Sequence, residues 1–180
     1  MSDSNTSPVF ETSPSSMTAE LFVDVFGGVY EHSPWVAERA WSQGIDAQHN
    51  TPAGLSETMQ QVIANADDKI LLELINAHPD LAGKAAAKGE LTPESTSEQA
   101  GAGIDQCTSE EYEQFQTLNE EYKAKFGFPF IMAVKGSNRH LILAAFVERL
   151  PNDPATEFQR AIDEINKIAR FRLDAIASGE

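Results

Sequence analysis

The sequence predicts an all-α fold, a single compact domain of about seven to nine helices with one short extended segment, and three observations carry that prediction. Apolar residues recur at the 3.6-residue period along most of the chain. Capping residues stand where those runs begin, and only one short run reads as extended. The length of 180 residues suits one domain with a substantial core and is short for two. Apolar residues make up 41% and charged residues 23%, an ordinary globular balance that excludes wholesale disorder.

Residues 1–16 are mostly Ser, Thr, Pro, Asp and Asn with little to bury, and are expected to be a disordered lead-in or an arm ordered only by a partner. The helical domain is expected over 17–178. Thr18 can cap a first helix whose apolar positions are Leu21, Phe22, Val25, Phe26 and Val29. Ser33-Pro34 reads as a cap with proline at the first helical position, opening a second helix through Val36, Ala37, Ala40 and Trp41. After a Gly/Asn/Pro-rich loop around 50–54, helical pattern resumes over 55–64 and 67–77. Residues 110–126 form a long polar helix with a thin apolar seam at Tyr112, Phe115, Leu118 and Tyr122. Helices over 138–150 and 155–176 complete the set. Only 128–134 reads as extended, bounded by Gly127 and Lys135-Gly136. A lone strand forms no sheet, so this run is expected as a buried irregular segment threaded between helices.

Charge and composition narrow the function. With 28 acidic against 13 basic residues and a net charge of −15, the surface repels phosphate backbones, so nucleic acid is not an expected partner. No window approaches ~18 uninterrupted apolar residues and no basic n-region precedes an apolar stretch, so neither membrane span nor secretory signal is expected. Cys107 is the only cysteine, which rules out an internal disulfide, suits a reducing compartment, and reads as a small half-buried residue. His32, His49 and His140 form no ligand cluster, and no metal, nucleotide or serine-nucleophile motif appears.

Three places can carry chemistry. On the last helix Phe158, Ile162, Ile165, Ile168, Ala169, Leu173 and Ile176 define an apolar stripe. At about 100° per residue, Arg172 falls within roughly 45° of its centre, whereas Arg160, Lys167 and Arg170 lie outside it. A guanidinium aimed at a core needs an acceptor, either a buried carboxylate or an anionic ligand. The second place is His78-Pro79-Asp80. Proline disfavours helical geometry at His78, so one helix should end there and Pro79 can open another. His78 would then sit at a positive dipole end that keeps the ring neutral, either as a base or as a mere cap. The third is 91–101, where Ser95 and Glu98 have capping-box spacing. Thr92-Pro93 is a competing start one turn earlier, which would free Glu98 to point elsewhere.

These signals occur together with a wider pattern. The runs His78-Pro79-Asp80-Leu81-Ala82-Gly83-Lys84, Leu91-Thr92-Pro93-Glu94-Ser95, Ser97-Glu98-Gln99-Ala100-Gly101, Phe126-Gly127-Phe128-Pro129-Phe130 and Ile168-Ala169-Arg170-Phe171-Arg172-Leu173 resemble the 2-oxo-4-hydroxy-4-carboxy-5-ureidoimidazoline (OHCU) decarboxylase family. So does Leu118-Asn119-x-x-Tyr122-x-x-Lys125-Phe126-Gly127, and the resemblance covers roughly 17–178. It implies an all-α homodimer, without metal or organic cofactor, that removes CO2 from a small anionic ureidoimidazoline in urate degradation and leaves (S)-allantoin. It places the catalytic residues at His78, Glu98 and Arg172. Substrate contacts fall at Pro79, Ser95, Thr96, Ser97, Glu98 and Gln99, and at Phe130, Ile131, Met132, Ala133 and Val134. The Ser/Thr-rich lead-in is outside the common pattern. The chain ends Ala177-Ser178-Gly179-Glu180 rather than in a Ser-Lys-Leu peroxisomal signal, so cytoplasm is the expected location. Three rival readings are a non-catalytic ureide binder, a metal-dependent hydrolase and a structural interaction protein whose seam at 110–126 meets a partner.

Overall fold

The computed structural model describes residues 7–180, which contain nine α-helices, three 3-10 turns and no strand. The chain divides into two compact units, one formed by the residues up to Leu71 with Asn166–Glu180, the other by Leu72–Ile165. The divisions fall inside α4 (Asp68–Asn76) and α9 (Pro154–Ser178), so both helices run from one unit into the other.

The first unit holds α1 (Ala19–Phe26), α2 (Trp35–Ser42) and α3 (Pro52–Ala64). Thr18 Oγ1 accepts from the Leu21 amide at 3.2 Å and Thr51 Oγ1 from the Gly54 amide at 3.1 Å, so α1 and α3 each start on a hydroxyl cap. Phe22, Phe26, Leu55 and Met59 are fully buried between these helices. At α2 the helix opens one residue later than expected. Pro34 occupies the cap position, and the Ser33 hydroxyl donates to the Glu31 carbonyl at 2.8 Å instead of capping.

The expectation of a disordered lead-in is corrected for residues 7–16. Phe10 is buried edge-on against Phe26, with ring centroids 5.0 Å apart. Its amide donates to the Asn50 carbonyl at 3.1 Å, and the Ser15 amide donates to Asn50 Oδ1 at 3.0 Å. One buried aromatic and a single receiving asparagine anchor a stretch whose average composition hides them. Residues 1–6 of that expectation lie outside the described residues.

The second unit holds α5 (Lys84–Ala87), α6 (Pro93–Gly101), α7 (Ser109–Phe126), α8 (Arg139–Arg149) and the first part of α9. A capping box between Thr108 and Glu111 starts α7, and Gly127 at φ 79° ends it in the left-handed conformation that favours glycine. The expected seam divides here, because Phe115 and Tyr122 are fully buried while Tyr112 is exposed. Segment 128–134 is an unpaired run, as its sequence suggested, with Phe128, Phe130, Ile131 and Val134 buried. Phe130 stacks on Phe146 at 3.7 Å, and Tyr122 meets Phe130 edge-on at 5.3 Å. This aromatic cluster seats an irregular segment in a helical unit.

Candidate functional site

His78 follows the end of α4 by two residues and is nine-tenths buried. The sequence expectation that Pro79 opens a helix is corrected. Residues 79–80 are irregular, 81–82 form a turn, and the next helix begins at Lys84. His78 therefore stands at the C-terminal end of α4, where the dipole favours imidazolium rather than opposing it. Its chemistry is set by a hydrogen bond instead. Nδ1 donates to the Leu74 carbonyl at 3.0 Å, since a carbonyl oxygen only accepts. In the neutral ring this leaves the lone pair on Nε2, the tautomer a proton carrier needs.

The turn after His78 is fastened by side chains from α6 and α7. Gln99 Oε1 accepts from the Ala82 amide at 3.1 Å, and Gln116 Nε2 donates to the Ala82 carbonyl at 2.6 Å. Asn119 Nδ2 donates to the Leu81 carbonyl at 2.9 Å, and Lys123 pairs with Asp80 at 2.6 Å. These bonds hold Ala82 at φ 53°, a conformation a non-glycine residue does not adopt unsupported. At Gly83 a Cβ would lie 2.6 Å from that of Asp80, so the turn closes only on glycine. Gln99, expected among substrate contacts, thus also braces the backbone that carries His78.

On α6 the two competing helix starts are resolved. Thr92 is the cap, accepting from the Ser95 amide at 3.3 Å, and Pro93 takes the first helical position. The Ser95–Glu98 capping box is therefore corrected: Ser95 lies inside the helix and Glu98 has no cap to fill. Ser95 and Gln99 are buried, Glu98 is half-buried beside them on the same helix face, and Thr96 and Ser97 are exposed. A hollow of about 590 Å³ borders this helix and the turn, lined among others by Gly83, Thr96, Gln99, Cys107 and Tyr112. Cys107 stays half-buried, and burial followed by the charge of Glu111 pushes its thiol pKa up, which makes it a poor nucleophile.

Within segment 128–134 two peptide groups are bonded inside the protein. Arg149 Nη1 donates to the Ile131 carbonyl at 2.7 Å, and the Ala133 amide donates to Glu164 Oε2 at 3.0 Å. Arg149 in turn pairs with Glu157 at 2.8 Å, and Glu157 also accepts from Tyr122 at 2.7 Å and Asn152 at 3.0 Å. Sequence reading missed this network. Ile142, Phe146 and Arg149 share one buried face of α8, so the stripe argument applied to Arg172 would have found Arg149 as well.

Arg172 belongs to the first unit, where the stripe places it in the core as expected. Its Nη1 lies 2.8 Å from Glu31 Oε2 and donates to the Gly28 carbonyl at 3.3 Å. Of the two acceptors foreseen, a buried carboxylate is present. Glu31 escaped sequence reading because it sits in a loop, where no periodicity marks burial. Arg160 and Arg170 are the outward bases expected, paired with Glu164 and Asp174 one turn on. His49 is buried and bonds Thr58 at 2.9 Å. Among the described residues no group of His, Cys, Asp and Glu comes together to hold a metal, and no helix is long and apolar enough to cross a membrane.

Known proteins align with this arrangement over nearly its whole length. The family model described as OHCU decarboxylase matches residues 15–174. A 2-oxo-4-hydroxy-4-carboxy-5-ureidoimidazoline decarboxylase from Halalkalicoccus jeotgali is 45% identical over 157 residues, covering 87% of this chain and 85% of that protein. Its namesake from Haloferax volcanii is 43% identical, covering 89% and 92%. Among solved structures, (S)-allantoin synthase superposes with a TM-score of 0.70 at 30% identity. The match covers 90% of this chain and 52% of that one, so the chain spans about half of that protein. A crystal structure of OHCU decarboxylase in the presence of (S)-allantoin gives 0.64 at 25% identity, covering 80% and 91%.

Proposed function

Because the chain belongs to the OHCU decarboxylase family, we propose that it removes CO2 from OHCU and leaves (S)-allantoin, with His78, Glu98 and Arg172 carrying the reaction. The observation that carries this reading is the buried 3.0 Å bond between His78 Nδ1 and the Leu74 carbonyl, which in the neutral ring leaves Nε2 as the proton carrier.

The bond to the departing carboxylate breaks and its electron pair enters the conjugated ring. The substrate is thus its own electron sink, and no added metal or organic cofactor is required. A proton is then added to one face of a ring carbon. The protein's part is to hold the scissile bond out of conjugation, stabilise charge on ring oxygens and choose the face. Neutral His78 accepts a hydrogen bond from the substrate hydroxyl through Nε2 and orients the scissile bond. Glu98, released from capping, positions His78 or the ureido group and relays the proton. Arg172 neutralises the substrate carboxylate, a task that matters in a protein of net charge −15.

Pro79, Ser95, Thr96, Ser97 and Gln99 line the substrate in this reading, and peptide groups of Phe130, Ile131, Met132, Ala133 and Val134 read its ring amides. The same reading carries a cytoplasmic homodimer without nucleic-acid or membrane partners. The test generates OHCU in situ from urate with a urate oxidase and a hydroxyisourate hydrolase, followed by circular dichroism. The expected outcome is rapid appearance of one optically active allantoin, with His78→Asn lowering turnover on the order of 10²-fold or more. Slow decay to racemic allantoin with the protein folded would overturn the proposal.

A further inference from the structure

Four charged side chains of the second unit surround segment 128–134 without belonging to the proposed catalytic set. Arg149 is 3% exposed, Glu157 0% and Glu164 3%; only Arg160, which pairs with Glu164, faces solvent. Burying an ion pair costs desolvation that its Coulomb attraction often fails to offset, so stability alone gives such a network little reason to exist. What it does visibly is hold backbone. One guanidinium bond goes to the Ile131 carbonyl, one carboxylate bond comes from the Ala133 amide, and Arg149 lies 4.2 Å above the Phe130 ring.

The geometry points to Arg149, Glu157 and Glu164 as positioning residues of the decarboxylation, a clamp that sets which peptide groups of 130–134 face the substrate. Ile131 and Ala133 are two apart, and one peptide group of each is bonded into the protein, the Ile131 carbonyl to Arg149 and the Ala133 amide to Glu164. In this clamp the peptide N–H and C=O of Met132 between them serve as the adjacent donor and acceptor for the N–H and C=O that a cyclic ureide presents side by side. Tyr122 and Asn152 fix Glu157, Glu157 fixes Arg149, and the aromatic cluster of Phe130 and Phe146 keeps the segment from rotating. Polar bonds specify orientation here, whereas the apolar contacts supply only burial.

The inference rests on the reading that this segment meets the substrate, and its test separates the two. Hydrogen–deuterium exchange of the peptide spanning 128–135 is measured in the full chain alongside kcat, KM and product handedness. Glu164→Ala is expected to raise exchange in that peptide at least about tenfold with the other segments unchanged. KM should rise by about 10- to 100-fold and the excess of one allantoin enantiomer should fall, because misplacing binding groups by an ångström costs up to about 10²-fold. Glu164→Gln, whose amide oxygen still accepts from Ala133, restores both. Arg160→Gln, which removes only the exposed partner, changes neither. If Glu164→Ala folds poorly, Arg149→Lys probes the same clamp from the Ile131 side. Unchanged exchange, or normal KM and handedness in a well-turning enzyme, overturns the clamp alone. No turnover by the unmodified protein overturns the decarboxylase reading itself.

Discussion

Each unit of the molecule buries one arginine against one glutamate, and the two pairs are built differently. Arg149 and Glu157 are eight residues apart across the α8–α9 connection, at 2.8 Å, and Glu157 serves two further donors, Tyr122 and Asn152. Arg172 and Glu31 come from opposite ends of the sequence, also at 2.8 Å, and join the C-terminal helix to the loop after α1. The first pair is a local strut that shapes the segment next to it. The second closes a long loop of chain, and its arginine is the one proposed to meet substrate. The two pairs thus differ in reach: one bonds backbone beside it, the other ties together distant parts of the sequence.

The largest effect is expected at the strut. Glu157→Ala strands a buried guanidinium and two other donors and should lower unfolding free energy by about 3–5 kcal/mol, read from the urea midpoint. Replacing both partners, Arg149→Met with Glu157→Leu, should recover much of that loss while leaving the proposed clamp broken. A double variant as unstable as the single one would make the pair a net stabiliser and erase the contrast.

At the other pair, Glu31→Gln keeps a hydrogen-bond acceptor and should cost less, about 1–3 kcal/mol. It should also lower kcat/KM by about tenfold, since Arg172 loses the carboxylate that aims it. Stability lost with activity intact would reduce Arg172 to a structural residue.

The tyrosines give effects that overlap this range at Tyr122 and extend below it at Tyr30. Tyr122→Phe removes a hydrogen bond to a charged group and should cost about 1.5–3 kcal/mol, against about 0.5–1.5 for Tyr30→Phe, whose hydroxyl donates to neutral Asn166. Burial raises the pKa of both hydroxyls, and at Tyr122 the bond to Glu157 raises it further. Each folded pKa lies above its unfolded value near ~10, so this stability is fully present below pH ~10 and is lost as pH rises further. The Tyr122→Phe protein should therefore show a shallower alkaline decline in urea midpoint. An unchanged slope would mean that Tyr122 does not carry the loss.

How much of this is legible in the sequence depends on whether a residue lies in a periodic element. The helices from Thr18 onward are legible, and so is the buried position of Arg172, because a 3.6-residue period reports which face is inward. Segment 128–134 is legible as an apolar run between glycines. Helix starts are less so: Thr92-Pro93 and Ser95–Glu98 are both valid caps, and only packing chooses between them. The lead-in from Ser7 to Ser16 is read wrongly because one phenylalanine anchors it, too sparse a signal for composition to reveal.

By itself, the sequence determined the all-α class, the family pattern, and the candidates His78, Glu98 and Arg172, since helix periodicity and motif spacing are local properties. Tertiary structure alone decided that no helix opens at Pro79 after the one that ends before His78, that Glu31 answers Arg172, and that Arg149 and Glu164 hold the irregular segment. The reason is physical. A cap or a hydrogen-bond partner is selected by which group arrives within about 3 Å, and that depends on chain far away in sequence.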